Sequence, residues 1–337
     1  LRRVKLPFAR GLEVEFADRG RAIKQVEDFA ERGTWHPIVV FGPEGCGKTA
    51  WLKQAAELLR ELGFEAIYVD PIHKDFIAHT DVKELVDKFT EVTMEAVGVA
   101  QLKLTTLAID AAKWLISKWG KRRIAVLVDD AFQAIGLDKA AMYVKALLSL
   151  VEYPPEGCEK IVAIATTSEG LSRKEIGRHL WAWIKPIWNM NQKGFEEIYE
   201  KIPGRKPPFD EAWRLTGGNP RILAQLYESK WSIEHVTRNL AESKRLQMFT
   251  SSLSNDEKMW LLEAIDNPDA LLTKGGMPLL NKLVELNMMI DAIPERDGET
   301  WIDEPPPERN LELGIGRHVA WQTPLHREAV KRAIVQC

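Results

Sequence analysis

Eight consecutive residues, Gly42-Pro43-Glu44-Gly45-Cys46-Gly47-Lys48-Thr49, fit the pattern G-x-x-x-x-G-K-[ST] and follow directly on the apolar run HPIVVF. Glycine lets the backbone bend tightly enough to aim successive N–H groups at one anion, and a helix opening at Lys48 adds the positive end of its dipole. Lys48 is then placed to reach the β- and γ-phosphates of a nucleoside triphosphate, with the Thr49 hydroxyl on Mg²⁺. Phosphate contacts are assigned to the whole run from Gly42 through Ala50. A metal-bound triphosphate needs a second anchor, and Ile124-Ala125-Val126-Leu127-Val128-Asp129-Asp130 supplies one at the end of an apolar strand. Asp129 is assigned to the Mg²⁺ shell and Asp130 to polarising an attacking water. Because Asp130 is one methylene shorter than a glutamate, slow hydrolysis is expected.

Further polar residues fall where the nucleotide is expected. Thr166, Thr167 and Ser168 follow the apolar run IVAIA. Thr167 is taken as the candidate γ-phosphate sensor, with plain turn or cap use of these residues as the alternative. Arg178 is a candidate arginine finger, in its own subunit or a neighbour, against an ordinary surface ion pair. Arg19, in Phe16-Ala17-Asp18-Arg19, is expected to border the base. Gly217-Gly218-Asn219-Pro220-Arg221 can bring a helix start against the nucleotide or simply connect two helices. Cys46 lies inside the loop, as a possible oxidation-sensitive position or only a small filler. Trp181, Trp183 and Trp188 cluster near a strand, as a partner surface or a buried contact.

These residues need a scaffold, and the first half of the chain alternates apolar runs with helical patterns, as parallel strands joined by crossover helices do. The runs Pro37 to Phe41, Glu65 to Val69, Arg123 to Val128 and Ile161 to Ala165 read as buried strands, and Trp183 to Met190 as an edge strand interrupted by Pro186. Helices are expected over 49–62, closed by Gly63, and over 102–119, closed by Gly120. Beyond Met190 the pattern is mostly helical, with Asn191 as a cap and Pro220 opening a helix. Helices over 256–265 and 277–287 precede extended pieces at 289–293 and 300–302, with Asp297-Gly298 as the hairpin turn between them. No internal repeat is present.

In their order along the chain, Phe16-x-Asp18-Arg19, the loop at 42–49, the strand ending Asp129-Asp130, the polar residue after the fourth strand, Gly177-Arg178 and Gly217-Gly218-Asn219-Pro220 resemble archaeal ATPases of the AAA+-related STAND class. The likeness spans most of the sequence. It implies ATP or ADP as the nucleotide, Pro220 as a nucleotide contact, and a switch rather than a fast motor, since Asp-Asp replaces Asp-Glu. The expected fold is α/β: a P-loop NTPase core with a parallel five-stranded sheet (1–188), a helical lid (189–250) and a C-terminal winged helix (251–337).

Composition excludes other classes. The 337 residues are 45% hydrophobic and 28% charged, with 46 Lys and Arg against 49 Asp and Glu for a net charge of −3. Such a balance describes a globular protein without a global field toward nucleic acid. From residue 240 onward there are 11 Lys and Arg against 16 Asp and Glu, a local net charge of −5. That sign opposes phosphate binding, so a protein partner or self-association is favoured over DNA. An initiator-like AAA+ ATPase binding DNA through its winged helix is the alternative, and a nucleotide-binding scaffold without turnover is the third reading. Cys46, Cys158 and Cys337 have no metal or disulfide spacing, and no apolar run is long enough to span a membrane. A cytoplasmic location is expected.

Overall fold

A computed structural model describes residues 2–168, 170–291 and 293–335. Cys337 lies outside the described residues, and Cys46 and Cys158 form no disulfide. The chain divides into two compact units, one made of Leu1–Val4, Gly20–Phe41 and Lys48–Pro186, the other of Lys5–Arg19, Gly42–Gly47 and Ile187–Cys337.

The first unit is built on a six-stranded sheet with strands β1 (Ile38–Phe41), β2 (Glu65–Asp70), β3 (Asp75–His79), β4 (Arg123–Val128), β5 (Lys160–Thr167) and β6 (Trp183–Pro186). Their order is β3-β2-β4-β5-β1-β6. All neighbours run parallel except β2 and β3, which form an antiparallel hairpin in the register Val69 to Phe76. The central strands are buried along almost their whole length, which is why they read as unbroken apolar runs. Helices Lys48–Glu61 and Val97–Ser117 are among those that connect them. Because β1, β2, β4 and β5 are parallel, Asp70, Asp129 and Thr166 all come to the same carboxyl edge, where open α/β sheets bind ligands.

Three expectations for this unit are corrected. The sheet has six strands, one of them antiparallel, rather than five parallel ones. The added strand β3 is only half-buried, so its residues carry no apolar run. The last strand ends at Pro186 instead of extending to Met190, as proline has no N–H to continue a ladder. The helix expected from residue 102 begins five residues earlier, at Val97.

The second unit opens with an unanticipated hairpin, Lys5–Ala9 on Leu12–Glu15, turned at Gly11 with φ +75°. Its remainder is mostly helical, with one short ladder. Asn191 caps the helix Gln192–Lys201 by accepting from the Gly194 N–H, and Asn219 caps Pro220–Glu228 by accepting from Ile222. Ser254 and Glu257 form a reciprocal capping box on Asn255–Asp266. Leu261, Leu279, Leu283, Trp321, Leu325 and Val330 are at the heart of a buried cluster.

The hairpin expected around Asp297-Gly298 does not form. Asp297 instead accepts from the N–H groups of Glu299 and Thr300 in a local turn, and Ile302 bridges to Ile187. Met289–Ile290 pairs with Ala320–Trp321. The reason lies on Asp269, whose carboxylate accepts from the N–H groups of Arg317, His318 and Val319 at 2.6, 3.0 and 3.1 Å and so draws this distant segment onto the ladder.

Removing three acceptor contacts at once has a definite cost. Asp269→Ala is expected to lower stability by about 2–4 kcal/mol, since hydrogen bonds to a charged group contribute about 1.5–3 kcal/mol each and are not fully additive. Urea denaturation of the variant checks this, and Asp269→Asn should recover part of the loss.

Candidate nucleotide-binding site

The acid pair is assembled in the first unit. Asp129 leaves β4 at the point where its N–H still donates to the Val69 carbonyl at 2.9 Å, and its side chain is 2% exposed. The hydroxyls of Thr166 and Tyr68 donate to this carboxylate, Tyr68 at 3.1 Å, and the Thr49 hydroxyl favours its charged form. Asp130 turns into the left-handed region, φ +42°, at the start of a short helix. Its N–H donates to the Thr166 hydroxyl at 3.1 Å, and its carboxylate accepts from Ser168 at 3.3 Å. One hydroxyl, on Thr166, thus orders both acids. Thr167 sits between the two residues that make these bonds, buried in register with Phe41. Strand alternation explains the difference, because neighbouring side chains leave a strand on opposite faces.

Burial and the adjacent Asp129 charge push the Asp130 carboxyl up to about 6, against the pull of the Lys48 ammonium and the Ser168 hydroxyl. Burial also raises Asp129, while the Thr166, Thr49 and Tyr68 hydroxyls favour the charged form. Lys48 itself is 4% exposed at the first position of its helix. Hydroxyl and carboxylate oxygens form a hard donor set, which suits Mg²⁺. Among the described residues no three His, Cys, Asp or Glu side chains gather as a metal cage. Magnesium does not need one, because it binds through one or two carboxylates plus phosphate and water.

Residues Gly42–Gly47 cluster with the second unit, and there the loop is held at several points. A Cβ on Gly42 would stand 2.0 Å from the Ile187 carbonyl oxygen, and one on Gly45, at φ +76°, 2.3 Å from Arg221 Cβ. No other residue fits either position. Arg19 is buried and ion-paired to Asp303 at 2.8 Å, and it also donates to the carbonyls of Cys46 and Trp188. Its guanidinium therefore braces the loop from behind rather than facing outward. The Glu44 N–H donates to Gln322 Oε1 at 2.8 Å, and the Glu44 carbonyl accepts from Asn219 Nδ2 at 2.9 Å. Burial raises the Glu44 carboxyl, but Lys244 and Arg221, each 3.4 Å away, pull harder and leave it below the usual range. Pro220 occupies the first position of the helix that Asn219 caps.

Residues 16–226 match a family model described as an ATPase domain predominantly from Archaea. The chain belongs to this family of ATPase domains. Solved structures of similar outline include the ADP form of the Aeropyrum pernix ORC2 protein, at 13% identity, covering 93% of this chain and 92% of that one with a TM-score of 0.44. Pyrobaculum aerophilum Cdc6p follows at 13% identity, 95% of each chain and a TM-score of 0.38. The Thermotoga maritima RuvB branch migration motor shares 14% identity over 85% of this chain and 92% of that one, with a TM-score of 0.39. No curated protein sequence matches the chain. Among the described residues no helix is long and apolar enough to cross a membrane.

Of the other residues singled out in the ATPase sequence, Arg178 is solvent-facing and ion-paired to Glu175 at 2.9 Å. Trp188 is buried edge-on to Trp301, whereas Trp183 is 46% exposed and stacks on His36. Sequence reasoning missed Tyr68, Asn189, Lys244, Asp303 and Gln322. Only Asn219 carried a local signal, as an asparagine immediately before a helix-opening proline.

His326 lies in the same region, fully buried with Nδ1 2.8 Å from the Thr323 hydroxyl. Burial lowers it to about 4, and Lys244 adds to the effect while Glu44 opposes it. The unfolded chain therefore takes up a proton near the ordinary histidine value while the folded chain resists until about pH 4. Stability should fall as pH drops across that window, by roughly 3 kcal/mol from this residue. Urea denaturation at pH 7 and pH 4.5 checks it: His326→Gln should lose less stability than wild type between the two.

Proposed function

We propose that this ATPase-family chain binds ATP with Mg²⁺ and hydrolyses it slowly, as a nucleotide-driven switch acting on a protein partner. The observation that carries the reading is the Asp129 carboxylate, buried at the end of β4, held by the Thr166 and Tyr68 hydroxyls and favoured in its charged form by the Thr49 hydroxyl. Thr49 closes the phosphate-loop motif and Asp129 ends β4, the two groups that a nucleotide-bound magnesium requires together.

In this reading the N–H groups of residues 42–50 and the Lys48 ammonium hold the phosphates, and Thr49 and Asp129 hold the metal. Mg²⁺, when bound, neutralises charge on the phosphate oxygens. Asp130 orients the attacking water, and its high proton affinity suits a group that takes up a proton as the water attacks. Ser168 and Thr166 fix where Asp130 points. Thr167 has the γ-phosphate sensor role, and Arg178 acts as a finger once its Glu175 partner releases it. Arg19 supports the loop through the Cys46 carbonyl, a positioning role in place of a base contact, and Pro220 starts the lid helix at the nucleotide.

The domain reading is a core over 1–188, a lid over 189–250 and a winged helix over 251–337. The winged helix departs from the simple form: helices Asn255–Asp266, Met277–Glu285 and Pro324–Val335 accompany a two-residue ladder, with a long excursion between its strands. The local excess of acidic residues supports a protein partner over DNA.

Turnover and calorimetry test the proposal. Lys48→Ala should abolish binding of MgATP, and Asp130→Asn should keep binding while turnover falls on the order of 10²-fold or more. Wild-type protein that takes up no MgATP overturns the reading. An Asp130→Asn variant as active as wild type removes the water-orienting assignment.

A further inference from the structure

Three buried amide residues close a ring on one residue of the loop, Gln322 taking part through both its side chain and its backbone carbonyl. Glu44 donates its N–H to Gln322 Oε1, at 2.8 Å. The backbone carbonyl of Gln322 accepts from Asn189 Nδ2 at 2.9 Å, Asn189 Oδ1 accepts from Asn219 Nδ2 at 2.8 Å, and the same Asn219 nitrogen donates to the Glu44 carbonyl at 2.9 Å. Asn189, Asn219 and Gln322 are 5%, 0% and 1% exposed, so water does not complete these bonds. Donor and acceptor roles alternate consistently around the ring, which fixes the amide orientation of all three. Both backbone polar groups of Glu44 are used, and its carboxylate is separately paired with Lys244 and Arg221.

Each amide also pins a different part of the second unit. Asn219 Oδ1 caps the Pro220 helix, Asn189 lies just past the end of β6, and the Gln322 N–H donates to the Met288 carbonyl beside the C-terminal ladder. A shift of the 320–326 segment therefore breaks a bond to the loop at Glu44, and a shift of the loop breaks a bond to that segment. Opening the ring leaves a buried donor or acceptor unsatisfied, which penalises any partial displacement.

We propose that Gln322 is a positioning residue for the phosphate loop, and that the amide ring couples nucleotide binding at residues 42–50 to the 319–326 segment. The proposal rests on the nucleotide-binding reading above. Coupling of this kind is reciprocal: whatever displaces the 319–326 segment, including a bound partner, alters nucleotide affinity by the factor with which nucleotide stabilises the segment.

Hydrogen exchange on the full chain, with and without MgADP or a magnesium complex of a non-hydrolysable ATP analogue, tests it. In wild type, nucleotide should slow exchange in peptides covering 42–50 and also in those covering 319–326. In Gln322→Leu, which loses the bond to the Glu44 N–H but keeps the backbone bond to Asn189, protection at 42–50 should persist while that at 319–326 falls several-fold, and calorimetry should show nucleotide affinity reduced about threefold to tenfold. Gln322→Glu, which keeps the acceptor, should retain the coupling if it folds. Wild-type protection confined to 42–50 overturns the coupling and needs no variant. Protection at 319–326 that is undiminished in Gln322→Leu also overturns it, leaving a merely structural contact. Absence of protection at 42–50 in wild type instead overturns nucleotide binding itself, and the coupling with it.

Discussion

Two carboxylates on consecutive residues, both withdrawn from water, repel one another and lose hydration at once. Asp129 and Asp130 face this constraint at the end of β4, and the residues around them answer it with oxygen donors. Thr49, Thr166 and Tyr68 surround one acid, Ser168 approaches the other, and the Lys48 charge acts on Asp130. These groups arrive from β2, β5 and the helix after the phosphate loop, so strand order has a direct electrostatic purpose. The acids remain unequal, because Asp129 accepts from the Thr166 and Tyr68 hydroxyls and Asp130 from Ser168 alone. Two different electrostatic settings are thereby placed within a single dipeptide.

Much of this arrangement was legible from residue order. Buried parallel strands are apolar on both faces, so β1, β2, β4 and β5 announced themselves as continuous runs. Strand β3 did not, since an edge strand with Asp75 and His79 at its ends shows no such run. The loop and the acid pair were readable because their chemistry lies in adjacent residues. Thr166 was harder to separate from Thr167, as only the pleat of β5 decides which hydroxyl meets the acids. Gln322 could not be found at all: a single glutamine between Trp321 and Thr323 has no period, and its partner is 278 residues away. The turn at Asp297-Gly298 misled for the opposite reason, because a strong local preference yielded to the more distant pull of Asp269.

The phosphate loop shows the same division between local and distant control. Its glycines are dictated by close approach, with Gly42 against Ile187 and Gly45 against Arg221. Its curvature is a local property, but its placement depends on Arg19, Asn219 and Gln322, which come from three widely separated segments. Buried amides and an ion pair, unlike apolar contacts, lose most of their value when slightly misaligned. The loop is consequently held in one well-defined shape by groups that tolerate little drift.

That discontinuous composition has a consequence for biogenesis. The six residues Gly42–Gly47 belong to a unit whose larger part follows the sheet, from Ile187 onward. During vectorial synthesis the central sheet can assemble while the ribosome is still translating, yet the Glu44 amide lacks its acceptor until residue 322 has been made. A nascent chain shorter than that therefore carries an unfinished loop.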